Sequence, residues 1–356
     1  MVHCFLRPVK VALTFFEKIS RHPLPDRSFR YNKGKERKVN IMQIISPTKL
    51  MTATSPGNRW QLQAGCLTTP LLGQTLTFTL SASPFLIIRA SNRAHPYSPA
   101  QSWAVRINHG PWQRFAAGAP ITFALPAVAH ITLMTAGNCD LDQVWAGHQG
   151  FALQALACAD HSQWSPQPPA PVATIIGDSI TAGCWVAGKH ASADYRAESN
   201  YVGVASDLLH QPLNRIAYSA AGFVRPGAGG VPPALAWLTQ TDATHLAPAI
   251  QTPWLIVALG VNDRRYPRRQ VQQAMATYFR QLATVTTSQI ALMIPFAQTW
   301  APELRAFGQQ FHWPVIETAA WSASTIDGLH PDQAGSLTLG HHFAHALQRL
   351  VQVAAD

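Results

Sequence analysis

The sequence predicts an α/β protein in which a parallel sheet covered by helices follows an all-β sandwich. Three observations carry this expectation. Short apolar runs broken by turn residues fill the stretch from Trp60 to Cys158, apolar strands alternate with helical stretches after residue 172, and four prolines separate the two textures. At 356 residues the chain has room for two domains, or for one domain with a large extension.

In the first half, Leu76-Thr77-Phe78-Thr79-Leu80 alternates at period two, as a half-buried strand does. Ala104 to Ile107, Ile121 to Leu125 and Ile131 to Leu133 follow more loosely, with His109-Gly110-Pro111 and Gly118-Ala119-Pro120 as turns between them. Strands at such spacing argue for a sandwich over residues 42–163. Pro166, Pro168, Pro169 and Pro171 then mark residues 164–171 as a stiff connector.

From residue 172 to 356 the pattern changes. Ala173 to Ile176, Arg215 to Tyr218, Trp254 to Leu259, Ile290 to Ile294 and Pro314 to Ile316 are strands without polar alternation. Helical spacing runs over Tyr201 to Leu209, Val271 to Val285 and about Asp332 to Val353. Strands apolar on both sides, interleaved with helices, indicate a parallel sheet buried on both faces.

Composition removes several classes. Hydrophobic residues at 47% supply a core, which excludes disorder as the main state. The net charge of +10 suggests nucleic acid until it is located: residues 1–40 carry 10 of the 27 basic and 3 of the 17 acidic groups, so the remainder is nearly balanced. A basic tail over residues 1–41 is not a folded electrostatic footprint, and no nucleic-acid partner is expected. Met42 is a natural alternative start for the folded protein. Five cysteines, odd in number and without zinc spacing, read as reduced thiols. No apolar stretch approaches the 18 residues of a membrane span, and the six-residue run Val11 to Phe16 lacks a cleavage site, so a cytoplasmic protein is expected.

Chemistry enters where the first parallel strand runs into Gly177-Asp178-Ser179. A serine at the carboxyl end of that strand, opening a helix, sits where open α/β sheets bind ligands, with backbone N–H groups to hand. Alone, Gly-Asp-Ser is an ordinary turn and cap. Far along the chain, Asp327-Gly328-Leu329-His330-Pro331 lets one loop present a carboxylate and an imidazole, which could fix the tautomer and accept a serine proton. Between them, Gly260-Val261-Asn262-Asp263 follows the strong strand from Trp254. An amide there can face the same crevice, and a donor aimed at an oxyanion is worth about 3 kcal/mol. Ser219-Ala220-Ala221-Gly222 follows the second strand, where small residues admit a backbone N–H close to a ligand.

These four segments, in this order, resemble the four consensus blocks of the SGNH, or GDSL-type, hydrolases, over about residues 171–350. The resemblance implies a three-layer, flavodoxin-like hydrolase domain with Ser179 as nucleophile and His330 and Asp327 completing a triad. It also implies an oxyanion hole built from the Ser179 N–H, the Asn262 amide and a backbone N–H of the second block. That last donor falls on Gly222 if the Ala-Gly pair is aligned, or on Ala220 if the residue after Ser219 is taken. A β-rich segment ahead of such a domain resembles carbohydrate esterase family two, whose members pair a jelly-roll with the hydrolase and remove acetyl groups from sugars. In that family the triad aspartate is sometimes absent, whereas here Asp327 stands in place. The implied activity is hydrolysis of short acetyl esters, with a small-molecule or oligosaccharide ester as substrate and neither metal nor organic cofactor.

Other acyl groups remain open, as in lipases, thioesterases or acyltransferases, and so does a non-catalytic sugar-binding role. Trp185 and Trp300 could offer a sugar a stacking face, although large aromatics more often belong to a core. Arg264 and Arg265 could meet an anionic substrate, or simply be solvated. His341, His342 and His345 lack acidic partners and read as structural or surface residues rather than metal ligands.

Overall fold

Strict alternation over Thr75–Ser81 turns Leu76, Phe78 and Leu80 inward and leaves the threonines half-exposed, the pattern of a sheet with one buried face. The computed structural model describes residues 42–353. The basic tail expected over residues 1–41 lies outside them.

Eleven strands and a short helix build the first half. They are β1 (Met42–Ile45), α1 (Pro47–Met51), β2 (Gln61–Gln63), β3 (Cys66–Thr69), β4 (Thr75–Ser81) and β5 (Phe85–Ser91), then β6 (Ser102–Ile107), β7 (Gln113–Ala116), β8 (Ile121–Ala124), β9 (Val128–Gly137), β10 (Phe151–Ala159) and β11 (Gln163–Pro166). One antiparallel sheet runs β2-β3-β10-β5-β8, with β1 also on β10; the other runs β11-β4-β9-β6-β7. Leu86, Ile88 and Leu153 of the first meet Phe78, Leu80, Leu133 and Trp103 of the second in one core.

The stretch expected as a connector from residue 164 begins instead inside a strand. Trp164 to Pro166 pair with Phe78 to Leu80, and the Trp164 ring lies 4.2 Å from that of Phe78. Proline is tolerated there because β11 is an edge strand, where a missing N–H costs no ladder bond.

The second half comprises β12 (Ala173–Gly177), α2 (Ser179–Ala182), α3 (Tyr201–Leu209), β13 (Leu213–Ala217), β14 (Trp254–Ala258), α4 (Arg268–Val285), β15 (Gln289–Met293), α5 (Ala301–Phe311), β16 (Val315–Ile316) and α6 (Gln333–Val353). Its strands are parallel in the order β13-β12-β14-β15-β16. Successive residues feed opposite faces: Ile175, Ile256 and Met293 pack with α3 and α6, while Ile176, Val257 and Leu292 pack with α4 and α5. The order 2-1-3-4-5 puts the topological switch between β12 and β14, where doubly wound sheets open a crevice at the carboxyl ends of their strands.

The described residues belong to one compact unit, and polar bonds join the two halves. Gln74 donates to the Arg215 carbonyl at 2.8 Å and Asn214 to that of Pro56 at 2.9 Å. Arg59, 1% exposed, donates to the Gln240 carbonyl. Arg114 of β7 pairs with Glu198 at 2.6 Å. Ala182, Cys184, Ala197 and Ala217 of the parallel-sheet half pack into the sandwich core. Cys66, Cys139, Cys158 and Cys184 are free and buried. No helix among the described residues is long and apolar enough to cross a membrane.

Candidate active site

Three neighbouring strands end level. Gly177 of β12 pairs with Ala217 of β13 on one side and Ala258 of β14 on the other. Ser179, Ala220 and Asn262 follow those ends by two, three and four residues, so they share the switch-point crevice.

Ser179 opens α2, whose N-cap Asp178 accepts from the Ile180 N–H at 3.0 Å. A side chain at Gly177 would strike Thr181, so only glycine lets the helix turn back this tightly against its strand. Asn200 secures the far end of α2, its amide donating to the Ile180 and Thr181 carbonyls at 3.1 and 2.8 Å while its Oδ1 caps α3.

The Ser179 Oγ lies 2.9 Å from Nε2 of His330, across 151 residues of chain. Asp327 arranges the other side of the ring. Its Oδ2 accepts from His330 Nδ1 at 3.0 Å, and its Oδ1 accepts from the N–H groups of Leu329 and His330 at 3.0 and 2.7 Å. Burial alone would raise the Asp327 carboxyl, but the bonds from the His330 N–H, its ring and the Leu329 N–H outweigh it and hold the group below the ordinary carboxylate range. A carboxylate at Nδ1 keeps the proton there, leaving the Nε2 lone pair toward the serine hydroxyl.

Asn262 is 7% exposed and donates through Nδ2 to the Ala221 carbonyl at 3.0 Å, which uses one of its two amide hydrogens. The second block has two candidate donors, and they differ. Gly222 is not free to serve an oxyanion: its N–H donates to the Arg225 carbonyl at 2.9 Å. It is glycine for another reason, since a Cβ there would stand 2.5 Å from Oδ1 of Asp263. Ala220 has φ +62°, the left-handed region that favours glycine, and among the described residues its N–H has no acceptor. The Ser179 N–H is likewise without an acceptor among them.

Sequence reasoning missed Asp263. It is fully buried, and its carboxylate accepts from the N–H groups of Phe223, Val224 and Arg225 at 2.7, 2.9 and 3.0 Å. Those partners lie 38 to 40 residues earlier, so local pattern gave no sign of them. Asp178, 3% exposed, is pushed up to about 7, first by burial and further by the neighbouring Asp263 charge, against the Ile180 N–H bond.

Trp185 lies against His330, ring centroids 4.7 Å apart, and the Lys189 ammonium stands 5.9 Å from the indole centroid. Trp300, the residue before α5, is half-buried, with Cδ1 3.2 Å from where a Gly260 side chain would start. Arg264 and Arg265 are exposed, and Arg264 donates to the Val261 carbonyl at 2.7 Å. His342 stacks on Trp321, and no group of three or more His, Cys, Asp or Glu among the described residues is arranged to hold a metal. A groove of about 880 Å³ bordered by Trp254, Gln289 and Val315 lies at the amino ends of the strands, away from Ser179.

No protein-family model matches the sequence, and neither does any curated protein. Solved structures do. A family two carbohydrate esterase from Cellvibrio japonicus is 14% identical with a TM-score of 0.69, over 88% of this chain and 98% of that one. A family two carbohydrate esterase from Clostridium thermocellum, in complex with cellohexaose, is 11% identical with a TM-score of 0.65, over 84% and 99%. A salicylyl-acyltransferase from a tetracycline biosynthetic pathway is 11% identical with a TM-score of 0.63, over 87% and 97%. Across nearly the whole length of each, the chain has the fold of the family two carbohydrate esterases and of this acyltransferase.

Proposed function

We propose that the protein is an SGNH-type serine esterase that removes short acyl groups, acetyl above all, from O-acetylated carbohydrate. The observation that carries this reading is the continuous chain from Ser179 Oγ through the His330 ring to Asp327, at the carboxyl end of β12.

His330 takes the hydroxyl proton as Ser179 attacks the ester carbonyl. The oxyanion of the tetrahedral intermediate is held by the N–H groups of Ser179 and Ala220 and by the remaining Asn262 amide hydrogen. His330 then hands its proton to the departing alcohol, leaving an acyl-enzyme. Water, deprotonated by the same imidazole, attacks that ester and releases the acid and the serine hydroxyl. Asp327 stabilises the imidazolium in both halves.

The test is release of acetate from acetylated mono- and oligosaccharides and from an activated acetyl ester. The purified protein releases it, prefers acetyl over octanoyl esters, and loses the activity in Ser179→Ala. Retained turnover in that variant, or no acetyl ester hydrolysed by the native protein, refutes the reading.

The shared fold of the salicylyl-acyltransferase supports one alternative, in which an alcohol rather than water takes the acyl group. Adding acceptor alcohols and resolving transferred from hydrolysed product separates the two.

A further inference from the structure

Asp263 is a buried carboxylate, fully shielded from solvent, with no cation in salt-bridge contact among the described residues. Such a charge persists only where dipoles compensate it. Three consecutive backbone N–H groups, from Phe223, Val224 and Arg225, converge on it at 2.7–3.0 Å. The loop can wrap this closely because residue 222 lacks a side chain; a Cβ would press on both carboxylate oxygens. The same two segments are tied a second time by the Asn262 amide on the Ala221 carbonyl, and the loop closes on itself through the Gly222 N–H and the Arg225 carbonyl.

We infer that Asp263 is the positioning residue of the oxyanion hole, resting on the acyl-enzyme reading above. It touches no reacting atom. It fixes the arc from Ser219 to Arg225 relative to the Asn262 turn, so that the Ala220 N–H, held at φ +62°, and the Asn262 amide keep a common aim. The hole is otherwise assembled from two loops that share no strand pairing beyond β13 and β14, each of which pairs with β12 rather than with the other. The buried carboxylate, through three of the bonds between them, supplies most of the cross-link, beside the single Asn262–Ala221 bond. Losing it leaves the nucleophile and base intact and loosens the donors.

Asp263→Asn tests this. It keeps the shape but removes the charge and turns one acceptor into a donor facing N–H groups. Each protein is titrated with a serine-reactive phosphonate, and kcat and KM for an activated acetyl ester are expressed per titrated site. The expected result is phosphonate labelling of a folded variant with kcat down about 10²-fold and KM within about twofold, because displacement of donors by about 1 Å costs that much in the transition state. A merely structural role lowers the titrated fraction and melting temperature but leaves kcat per site unchanged, and that outcome overturns the inference. Should Asp263→Asn not fold, Gly222→Ala, which presses a methyl on the same carboxylate, is read identically; unchanged kcat per site there overturns it equally. If the native protein itself fails to label, the acyl-enzyme reading falls and takes this one with it.

Discussion

The Trp185 indole lies against the His330 imidazole at a ring distance of 4.7 Å and an angle of 48°, packed from behind by the sandwich core. The imidazole is therefore braced on two sides, by Asp327 at Nδ1 and by an aromatic wall on its face. Trp185 itself holds φ +64°, an uncommon conformation for a bulky residue that the surrounding packing sustains. Trp185→Ala unbraces the ring, and kcat for an acetyl ester should fall about tenfold or more. Trp185→Phe, which keeps a ring face, should recover most of it; steady-state kinetics on the three proteins decides.

Asp327→Asn removes the acceptor that keeps the His330 proton on Nδ1 and can instead donate to that nitrogen. The Nε2 lone pair is then lost toward Ser179, and kcat should drop by about 10³- to 10⁴-fold. Because Asp327 is held below the ordinary carboxylate range, its carboxylate stays charged beside the His330 ring at mildly acidic pH. A variant that turns over at near-native rate would show that this carboxylate does not orient the base.

Asp178 gives the protein a stability cost that grows with pH. Its carboxyl is raised from 3.8 to about 7 in the folded state, so the folded chain holds this proton more tightly than the unfolded chain. The favourable contribution is complete below pH 3.8 and is lost progressively as pH rises from there through about 7. Asp178→Asn keeps an N-cap acceptor while removing the charge. Its melting temperature should exceed the native value by several degrees at pH 8 and converge with it toward pH 4, as thermal denaturation across that range would reveal.

Glu198 ties the sandwich to the sheet half through Arg114, whose guanidinium also donates to the Ser192 carbonyl at 3.0 Å. Burial lowers the Arg114 pKa, and the Glu198 charge works against that. Glu198→Ala strands a largely buried cation, and urea denaturation should show a loss of about 3 kcal/mol. Acetyl-ester kcat per titrated site should stay native.

Both halves of the protein depend on that interface. A chain beginning at residue 172 would expose Ala182, Cys184, Ala197 and Ala217, which now sit in the sandwich core, and would leave Arg215 without the cover of Gly73. Such a fragment should be insoluble or bind a hydrophobic dye, and a monomeric, cooperatively melting fragment would contradict this.

Much of the parallel-sheet half was legible because periodicity is local. Tyr201–Leu209 is a helix with the bounds its spacing predicts, and the apolar runs from Ala173, Trp254 and Ile290 are its sheet strands. The short edge strands β2, β7 and β11 were not, since their few residues are half-exposed and carry too little pattern. Trp164 to Pro166 read as connector because proline ordinarily breaks strands, and only the pairing with β4 shows that this edge tolerates it.

At the site, the residue types and their order along the chain determined the candidate hydroxyl, imidazole, carboxylate and amide, because those groups carry their chemistry wherever they stand. Tertiary structure alone engaged the Gly222 N–H while leaving that of Ala220 without an acceptor among the described residues, turned Trp185 onto the His330 ring, and gave Asp263 its three N–H partners. Each is a matter of direction between backbone groups brought together from distant parts of the chain, and direction is fixed only when the loops close on one another.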